Sequence, residues 1–445
     1  MKIVRVLGWA LAFCLTADVA FAAPAEMTYD VVVAGGGPAG IGAGYTAAVR
    51  GAKTLVIEKS GRLGGMAVQA MVSPFSLAVD SIPVREIAHR IGALPEVDVS
   101  RMDLLAYDLL KEAGADVLLH ATVTEPILEN GRVTGVEVLC AEGRRRIRAR
   151  VVIDATGDGF VAERAGVPFE LGRKEDGLVQ PMSIMFTIAG IERGKRRVCG
   201  SEMAARQMKI GGKSWEAIVQ EEIAAGKLPP EVGVIRLYRT PRKNANVVNA
   251  TQVNRLYGTR SADLTTAEIA CRRQAFQVLD VLRRRMPGYA GAYVEGMPAV
   301  IGVRETRRFE GVDRLETADV LAGRKRADAI VRGCSFVIDI HNPTGGGQAK
   351  GHNEYGVNGE AQRVKPYDSP YGAIVPRRVE GLLFAGRILS ASHEALASCR
   401  VMGNAMAIGI GAGAAAAYAV RHDMKLRDVP AAKLGVFGKD WKNAR

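Results

Sequence analysis

An α/β protein is the fold class this sequence predicts: a discontinuous Rossmann-like nucleotide-binding domain carrying an inserted α+β cap. Three observations predict it. A strand, Asp30 to Ala34, runs into the glycine turn Gly35-Gly36-Gly37-Pro38-Ala39-Gly40 and a helix from Ile41 to Arg50. A second strand, Thr54 to Ile57, ends on the carboxylate Glu58. Far along the chain, Gly381 to Phe384 is another apolar strand ending in glycine, at Gly386.

The first two observations make one ADP-binding βαβ unit. Gly35 permits the tight turn, Gly37 lets backbone N–H groups approach a pyrophosphate at a helix N-terminus, and Gly40 lets the helix lie close to the strand. Glu58 is placed to hold ribose hydroxyls, and Gly51 stops the helix.

Residues ahead of this unit read as an export signal. Lys2 and Arg5 make a basic start, Val6 to Ala17 an apolar stretch, and Ala20-Phe21-Ala22 a small-x-small cleavage site before Ala23. The apolar stretch is about half of the ~20 residues a membrane span needs. A periplasmic or secreted protein with residues 1–22 removed is therefore expected. Among what remains, the small-residue run Ala405 to Val420 follows a strand and reads as a buried helix, so no stable membrane span is expected.

After Glu58, Gly61-Arg62-Leu63-Gly64-Gly65-Met66 makes a second glycine turn. A helix is expected over 100–113, with Ser100 as its cap and Gly114 as its stop. Strands follow over 117–123, 133–139 and 146–153, the first two joined at Asn130-Gly131. The last runs into Asp154-Ala155-Thr156-Gly157-Asp158, a second approach to the nucleotide. Composition then shifts. Strands over 182–188 and 232–239 and a long helix opened by Thr265-Thr266-Ala267-Glu268 mark the insertion, and a final helix is expected over 398–418. The expected divisions are 27–170 and 366–425 for the nucleotide domain, 171–365 for the cap and 426–445 for a C-terminal tail.

Formal net charge is +13, spread over basic runs such as Arg144 to Arg148 and Arg283 to Arg285. Solvated faces are the ordinary reading, with attraction of an anionic substrate as the functional one. Interleaved aromatics suited to nucleic acid are lacking. Cys140, Cys199, Cys271, Cys334 and Cys399 form no CxxC pair, which leaves zinc and haem attachment unsupported, and buried thiols are the default. No metal is expected, since His341 and His352 meet none of the usual ligand spacings.

Five further marks join these: Gly64-Gly65-Met66, Asp154 to Asp158, Gly302-Val303-Arg304-Glu305-Thr306-Arg307-Arg308, Asp339-Ile340-His341-Asn342-Pro343, and Ala385 to His393. With them the chain resembles, over about residues 28 to 420, the FAD-dependent oxidoreductases of the glutathione-reductase-like superfamily, specifically a bacterial family known by that description. More distantly, its C-terminal part resembles the flavoprotein subunits of fumarate reductase and succinate dehydrogenase. His393 and Arg400 occupy places comparable to their histidine and arginine, whereas Arg387 stands where they carry an acid. The resemblance implies FAD held by Gly35, Gly37, Pro38, Ala39, Gly40, Glu58, Lys59, Gly64, Gly65, Met66, Val123, Thr156, Gly157, Asp158, Gly386 and Arg387. It also implies a flavin ring between the two domains.

Groups able to orient a substrate follow from this placement. His393 suits a proton or hydrogen-bond donor, and Arg400, seven residues on, shares nearly its helical face. Asp339 and His341 alternate on an expected strand, as a site rim or a domain-junction contact. Arg304 pairs on one face with Arg308 in a strand or with Arg307 in a helix, beside the flavin or in an interface ion pair. The loop Thr344-Gly345-Gly346-Gly347, with Lys350, His352 and Glu354 beyond it, reads as a polar lid. The one glycine fingerprint is taken by FAD and nicotinamides are not expected outside the cytoplasm, so electrons pass to a separate quinone, cytochrome or oxygen. Hydride transfer between flavin N5 and a small organic substrate is the leading expectation. An oxidase, or an electron-transfer module without substrate chemistry, is the alternative.

Overall fold

The computed structural model describes residues 26–94, 97–347 and 364–443. The expected export signal, and Lys350, His352 and Glu354 of the glycine loop, lie outside the described residues. The opening βαβ unit consists of β1 (Met27–Ala34), α1 (Pro38–Val49) and β2 (Thr54–Ile57). The end of β1 and all of β2 are buried, as in parallel strands covered on both faces. Helix α1 starts before the expected Ile41, because Pro38 sits in the first turn, where its missing N–H is no loss.

The chain continues through α2 (Met66–Gln69), α3 (Ile82–Arg90) and α4 (Met102–Glu112) to β3 (Asp116–Leu118). Ser100 does not cap α4. The helix begins two residues later, and Asp98 takes the N–H of Ser100 on its carboxylate and that of Met102 on its carbonyl, both at 3.0 Å. Next come β4 (Thr122–Glu129), β5 (Arg132–Cys140) and β6 (Gly143–Asp154). Asn130 and Gly131 have φ of 50° and 75°, the left-handed pair that a two-residue hairpin turn requires.

These strands form one sheet in the order β3-β2-β1-β6-β5-β4. Along one edge β6 serves two partners. Its first half pairs antiparallel with β5, and its last three residues pair parallel with Leu382–Phe384. A strand from the far end of the chain therefore completes the parallel sheet beside the first glycine turn.

The inserted region leaves through α5 (Phe160–Arg164) and β7 (Phe169–Leu171). It contains β8 (Met185–Ala189), α6 (Glu202–Gln207), β9 (Lys209–Ile210), β10 (Lys213–Ser214), α7 (Trp215–Ala224), β11 (Arg236–Tyr238), β12 (Asn246–Asn249), α8 (Ser261–Arg285) and β13 (Tyr293–Gly296). An antiparallel sheet, β11-β12-β8-β13, and α8 enclose a second core around Phe186, Trp215 and Tyr289. Thr265 and Thr266 do not open α8. The helix starts at Ser261, and both hydroxyls bond back to the carbonyls of Ser261 and Ala262 at 2.8 and 3.0 Å.

The second core ends at Ile301, well before the expected boundary at 365. The chain returns through β14 (Arg307–Phe309), α9 (Thr317–Ala322), β15 (Ala329–Cys334) and β16 (Tyr367–Pro370). Phe309, Leu315, Ile330 and Ile340 bury themselves in the nucleotide domain's core, so this stretch belongs there. The last elements are β17 (Leu382–Phe384), α10 (His393–Cys399) and α11 (Met402–His422). The expected single helix is thus two, broken at Arg400-Val401. The expected tail is also packed: Trp441 is 1% exposed, and the Arg50 guanidinium bridges the carbonyls of Leu434 and Trp441.

Among the described residues α11 is the one helix long and apolar enough to cross a membrane, yet it is buried inside this domain. Its small residues explain why. A Cβ on Gly409 would lie 1.9 Å from the Ala39 carbonyl oxygen, and one on Gly413 would lie 2.2 Å from that of Ala43. The run lets α11 press backbone to backbone on α1. Cys140, Cys199, Cys271, Cys334 and Cys399 are all buried, free thiols.

Candidate functional site

The first part of the site is a cradle of backbone at the start of α1. Gly35 has φ 108°, and a Cβ there would stand 2.4 Å from the Ala155 carbonyl oxygen. The helix N-cap, Gly37, has no side chain to satisfy the amides of the first turn. The second glycine turn closes on the first: Gly64 N–H donates to Gly36 O at 2.8 Å, and a Cβ on Gly65 would meet Gly37 Cα at 2.8 Å. Glu58 is 5% exposed, with its carboxylate receiving the N–H groups of Gly36 and Ser60 at 2.8 and 2.9 Å. Lys59 beside it is exposed, Met66 opens α2, and Val123 is buried on β4.

The Thr156-Gly157-Asp158 turn faces the same cradle. Asp154, wholly buried, gathers Thr156 N–H, Thr156 O–H and Ala162 N–H on its carboxylate, and burial pushes its pKa up. Arg387 does not reach outward: it pairs with Asp158 at 2.7 Å and covers Gly157. A Cβ on Gly386 would lie 3.2 Å from Ala39 Cβ, so the C-terminal turn also sits over the start of α1. Uncapped helix amides, glycines that leave no side chain in the cradle, and an adjacent buried carboxylate fit the pyrophosphate and ribose of a dinucleotide.

The second part is a buried polar cluster. Thr306 and Arg307 bond the carbonyls of Gly157 and Asp158 at 3.2 and 3.0 Å, so the segment 304–308 joins the cradle to the cluster. Arg307–Phe309 is a strand, paired antiparallel with β7, but Arg304 to Thr306 precede it on irregular backbone, so Arg304 meets neither the strand nor the helix expectation. Glu305 and Arg308 pair with side-chain exposures of 0% and 3%. Glu305 also takes Gln180 N–H at 3.0 Å and holds His393 Nδ1 at 2.9 Å. On the other side of Gln180, Arg400 donates to its Oε1 at 3.3 Å, to the Asp339 carbonyl at 3.0 Å and to the Asp339 carboxylate at 3.4 Å. His341 Nε2 lies 3.6 Å from Asp339 Oδ2. Asp339 and His341 do share a side, but on irregular backbone rather than the expected strand.

Arg304 donates to the Pro181 carbonyl at 2.7 Å, and burial together with Arg400 pushes its pKa down to about 9. Arg236, on β11, bears on both Arg304 and His341. Among the described residues neither Arg236 nor Arg304 forms an ion pair with a carboxylate. Five buried polar atoms here have no partner among those residues: Gln180 Nε2, Arg236 Nε, His341 Nδ1, His393 Nε2 and Arg400 Nε. Such orphans are uncommon in packed interiors, and five around one cluster make it a candidate place for a bound molecule or ordered water.

Burial, reinforced by Arg304, pushes His341 from its ordinary 6.5 down to about 3. Its folded pKa is below its unfolded one, so between those values the unfolded chain binds a proton that the native state refuses. Stability falls as pH drops through that window. His341→Asn is therefore expected to gain about 2 kcal/mol relative to wild type between pH 7 and pH 5, read from urea midpoints.

Of the four expected substrate-orienting residues, Arg304, His341 and Arg400 stand around Asp339 and Gln180, and His393 joins them through Glu305. The long-range partners Gln180 and Arg236 carry no local signal, since each comes from a different part of the insertion. Glu305 lies inside a motif whose arginines draw attention first. The basic runs outside the cluster are largely paired: Arg284 and Arg285 with Glu221 and Glu222, and Arg148 with Glu26 and Glu129.

A family model described as FAD dependent oxidoreductase matches residues 30–436. Digeranylgeranylglycerophospholipid reductase 1 of Methanopyrus kandleri is 33% identical over 161 residues, 32% of this chain and 43% of that protein. The chain thus spans less than half the length of that relative. Thiamine thiazole synthase of Aeropyrum pernix is 32% identical over 198 residues, 36% of this chain and 72% of that protein. Among solved structures, a geranylgeranyl bacteriochlorophyll reductase-like protein from Thermoplasma acidophilum aligns with a TM-score of 0.47 and 16% identity, covering 89% of this chain and 80% of that one.

Proposed function

Because this chain belongs to the FAD-dependent oxidoreductase family, we propose that it moves a hydride between FAD and a small anionic organic substrate seated at Arg236, Arg304 and Arg400. The cofactor, when bound, supplies the two-electron redox chemistry, and the protein supplies position and electrostatics. The cradle of Gly35, Gly37, Gly40, Gly65 and Glu58 holds it, with the Thr156-Gly157 turn close by.

One observation carries the anionic assignment. Three guanidinium groups share a largely buried site with one carboxylate, Asp339, and among the described residues neither Arg236 nor Arg304 forms an ion pair of its own. Positive charge in excess of the carboxylates around it, in a desolvated place, favours a ligand that brings negative charge with it. The lipid substrate in the name of the Methanopyrus reductase does not carry over, since that match covers 32% of this chain.

The reading extends to place and partner. Export through the segment 1–22 puts the enzyme outside the cytoplasm, and a quinone, a cytochrome or oxygen exchanges electrons with the flavin. Titrating the FAD-loaded protein with oxalate tests the site. A saturable change in flavin absorbance is expected, weakened about 10- to 100-fold by Arg304→Met, the equivalent of one charged hydrogen-bonding partner. Oxalate binding equally well to wild type and variant, or to neither, would overturn the reading.

A further inference from the structure

We infer that His393, held by Glu305, is the base that takes the hydroxyl proton of a small hydroxy carboxylate bound at the arginines. This rests on the anionic-substrate reading above and deepens it. Glu305 is paired with Arg308 and also accepts Gln180 N–H, so its carboxylate offers acceptors only. His393 Nδ1, 2.9 Å from Oε1, must then carry the hydrogen of that bond. In the neutral ring this leaves Nε2 as a bare acceptor, and Nε2 is one of the five buried atoms without a partner among the described residues.

Position limits what Nε2 meets. Gln180 touches Glu305 with its N–H and Arg400 with its Oε1, so one residue separates the support of the histidine from an arginine of the anion site. A molecule spanning the two is small, its acidic hydrogen only a few bonds from its carboxylate. The surrounding charge selects the group that bears this hydrogen. Arg236, Arg304 and Arg400 disfavour an ammonium, and His341, held low by burial first and by Arg304 second, also resists added positive charge. A hydroxyl meets no such penalty.

The step balances. The O–H proton moves to Nε2, the O–H electron pair becomes the second bond of a carbonyl, and the hydrogen on the same carbon leaves with its pair to the flavin. The substrate loses two electrons and the flavin gains them. His393 becomes cationic, and Glu305 offsets that charge while holding the ring in place. Glu305 is thus a positioning residue, acting through His393.

Holoprotein labelled with ¹⁵N-histidine provides a readout independent of turnover. The signal removed by His393→Gln is expected to show the neutral tautomer with hydrogen on Nδ1, and Glu305→Gln is expected to disturb it. Anaerobic mixing with glycolate, D- and L-lactate, and D- and L-malate should bleach the flavin with at least one of them. His393→Gln should slow that bleaching about 10²- to 10⁴-fold while oxalate affinity is kept. Glu305→Asp should recover part of the kcat lost in Glu305→Gln without a matching change in KM. Since Glu305→Gln removes the fully buried partner of Arg308 and leaves it only Glu170 at 3.3 Å, the wild-type spectrum and His393→Gln decide the matter if that variant does not fold. A hydrogen on Nε2 instead, or oxalate binding with no hydroxy acid bleaching the flavin, overturns the inference and leaves the anion site standing. Colour that survives acid precipitation in wild type but not in His393→Gln also overturns it, since Nε2 would then be bonded to the flavin. Failure of oxalate to bind removes both readings together.

Discussion

Arg308→Met is expected to cost about 3–5 kcal/mol of stability, because it strands a carboxylate inside the protein. Glu305 is fully buried and Arg308 nearly so. The guanidinium also donates to the carbonyls of Gly172 and Ala391 at 2.7 and 3.1 Å and reaches Glu170 at 3.3 Å. It therefore ties the exit toward the insertion to the segment just before α10. Urea midpoints measure the loss. The double variant Glu305→Gln/Arg308→Met should be less destabilised than the sum of the singles, since removing the charge removes the main penalty. Additive losses would mean that the pair contributes packing alone.

Gly40→Ala is the variant expected to strike cofactor binding hardest. Its Cβ would stand 1.8 Å from the Gly35 carbonyl oxygen and 2.9 Å from the Gly35 carbonyl carbon, backbone atoms with no flexible end to give way. The turn must open, at a cost in the range of about 1–3 kcal/mol typical of forced overpacking. If that cost falls on the bound form, FAD affinity drops by up to about 100-fold. Flavin retention after gel filtration and calorimetric titration measure it. Gly51→Ala is the control: φ there is 87°, but a Cβ would meet nothing within 4 Å. Stability should fall while FAD affinity stays as it was. Equal affinity in both variants would show that the close approach of α1 does not shape the cradle.

The cradle is the more legible half of the site because its chemistry is local. Tight turns and close approaches need glycine at particular steps, and Gly35 through Gly40 announces the helix start within six residues. The polar cluster is less legible. His393 opens one short helix and Arg400 caps its end, yet what joins them is Gln180 and Glu305, from segments the chain visits much earlier. The cap boundary at 365 went astray for a related reason. Apolar residues such as Leu315 and Ile330 look the same whichever core they enter, and only packing such as that of Ile330 on Gly411 of α11 decides it.

By itself, the sequence determined the nucleotide-binding βαβ unit, the α/β class and the return of a late glycine-ended strand, because these rest on periodicity and on backbone conformations that few residues tolerate. Tertiary structure alone decided that the insertion's own core closes at Ile301, that the last residues pack down rather than trail, and that Arg236 and Gln180 meet Arg304, His341 and Arg400. Burial and charge compensation are properties of the folded neighbourhood, so an arginine reads the same in the chain whether it ends on a solvated face or in a buried cluster with more arginines than carboxylates.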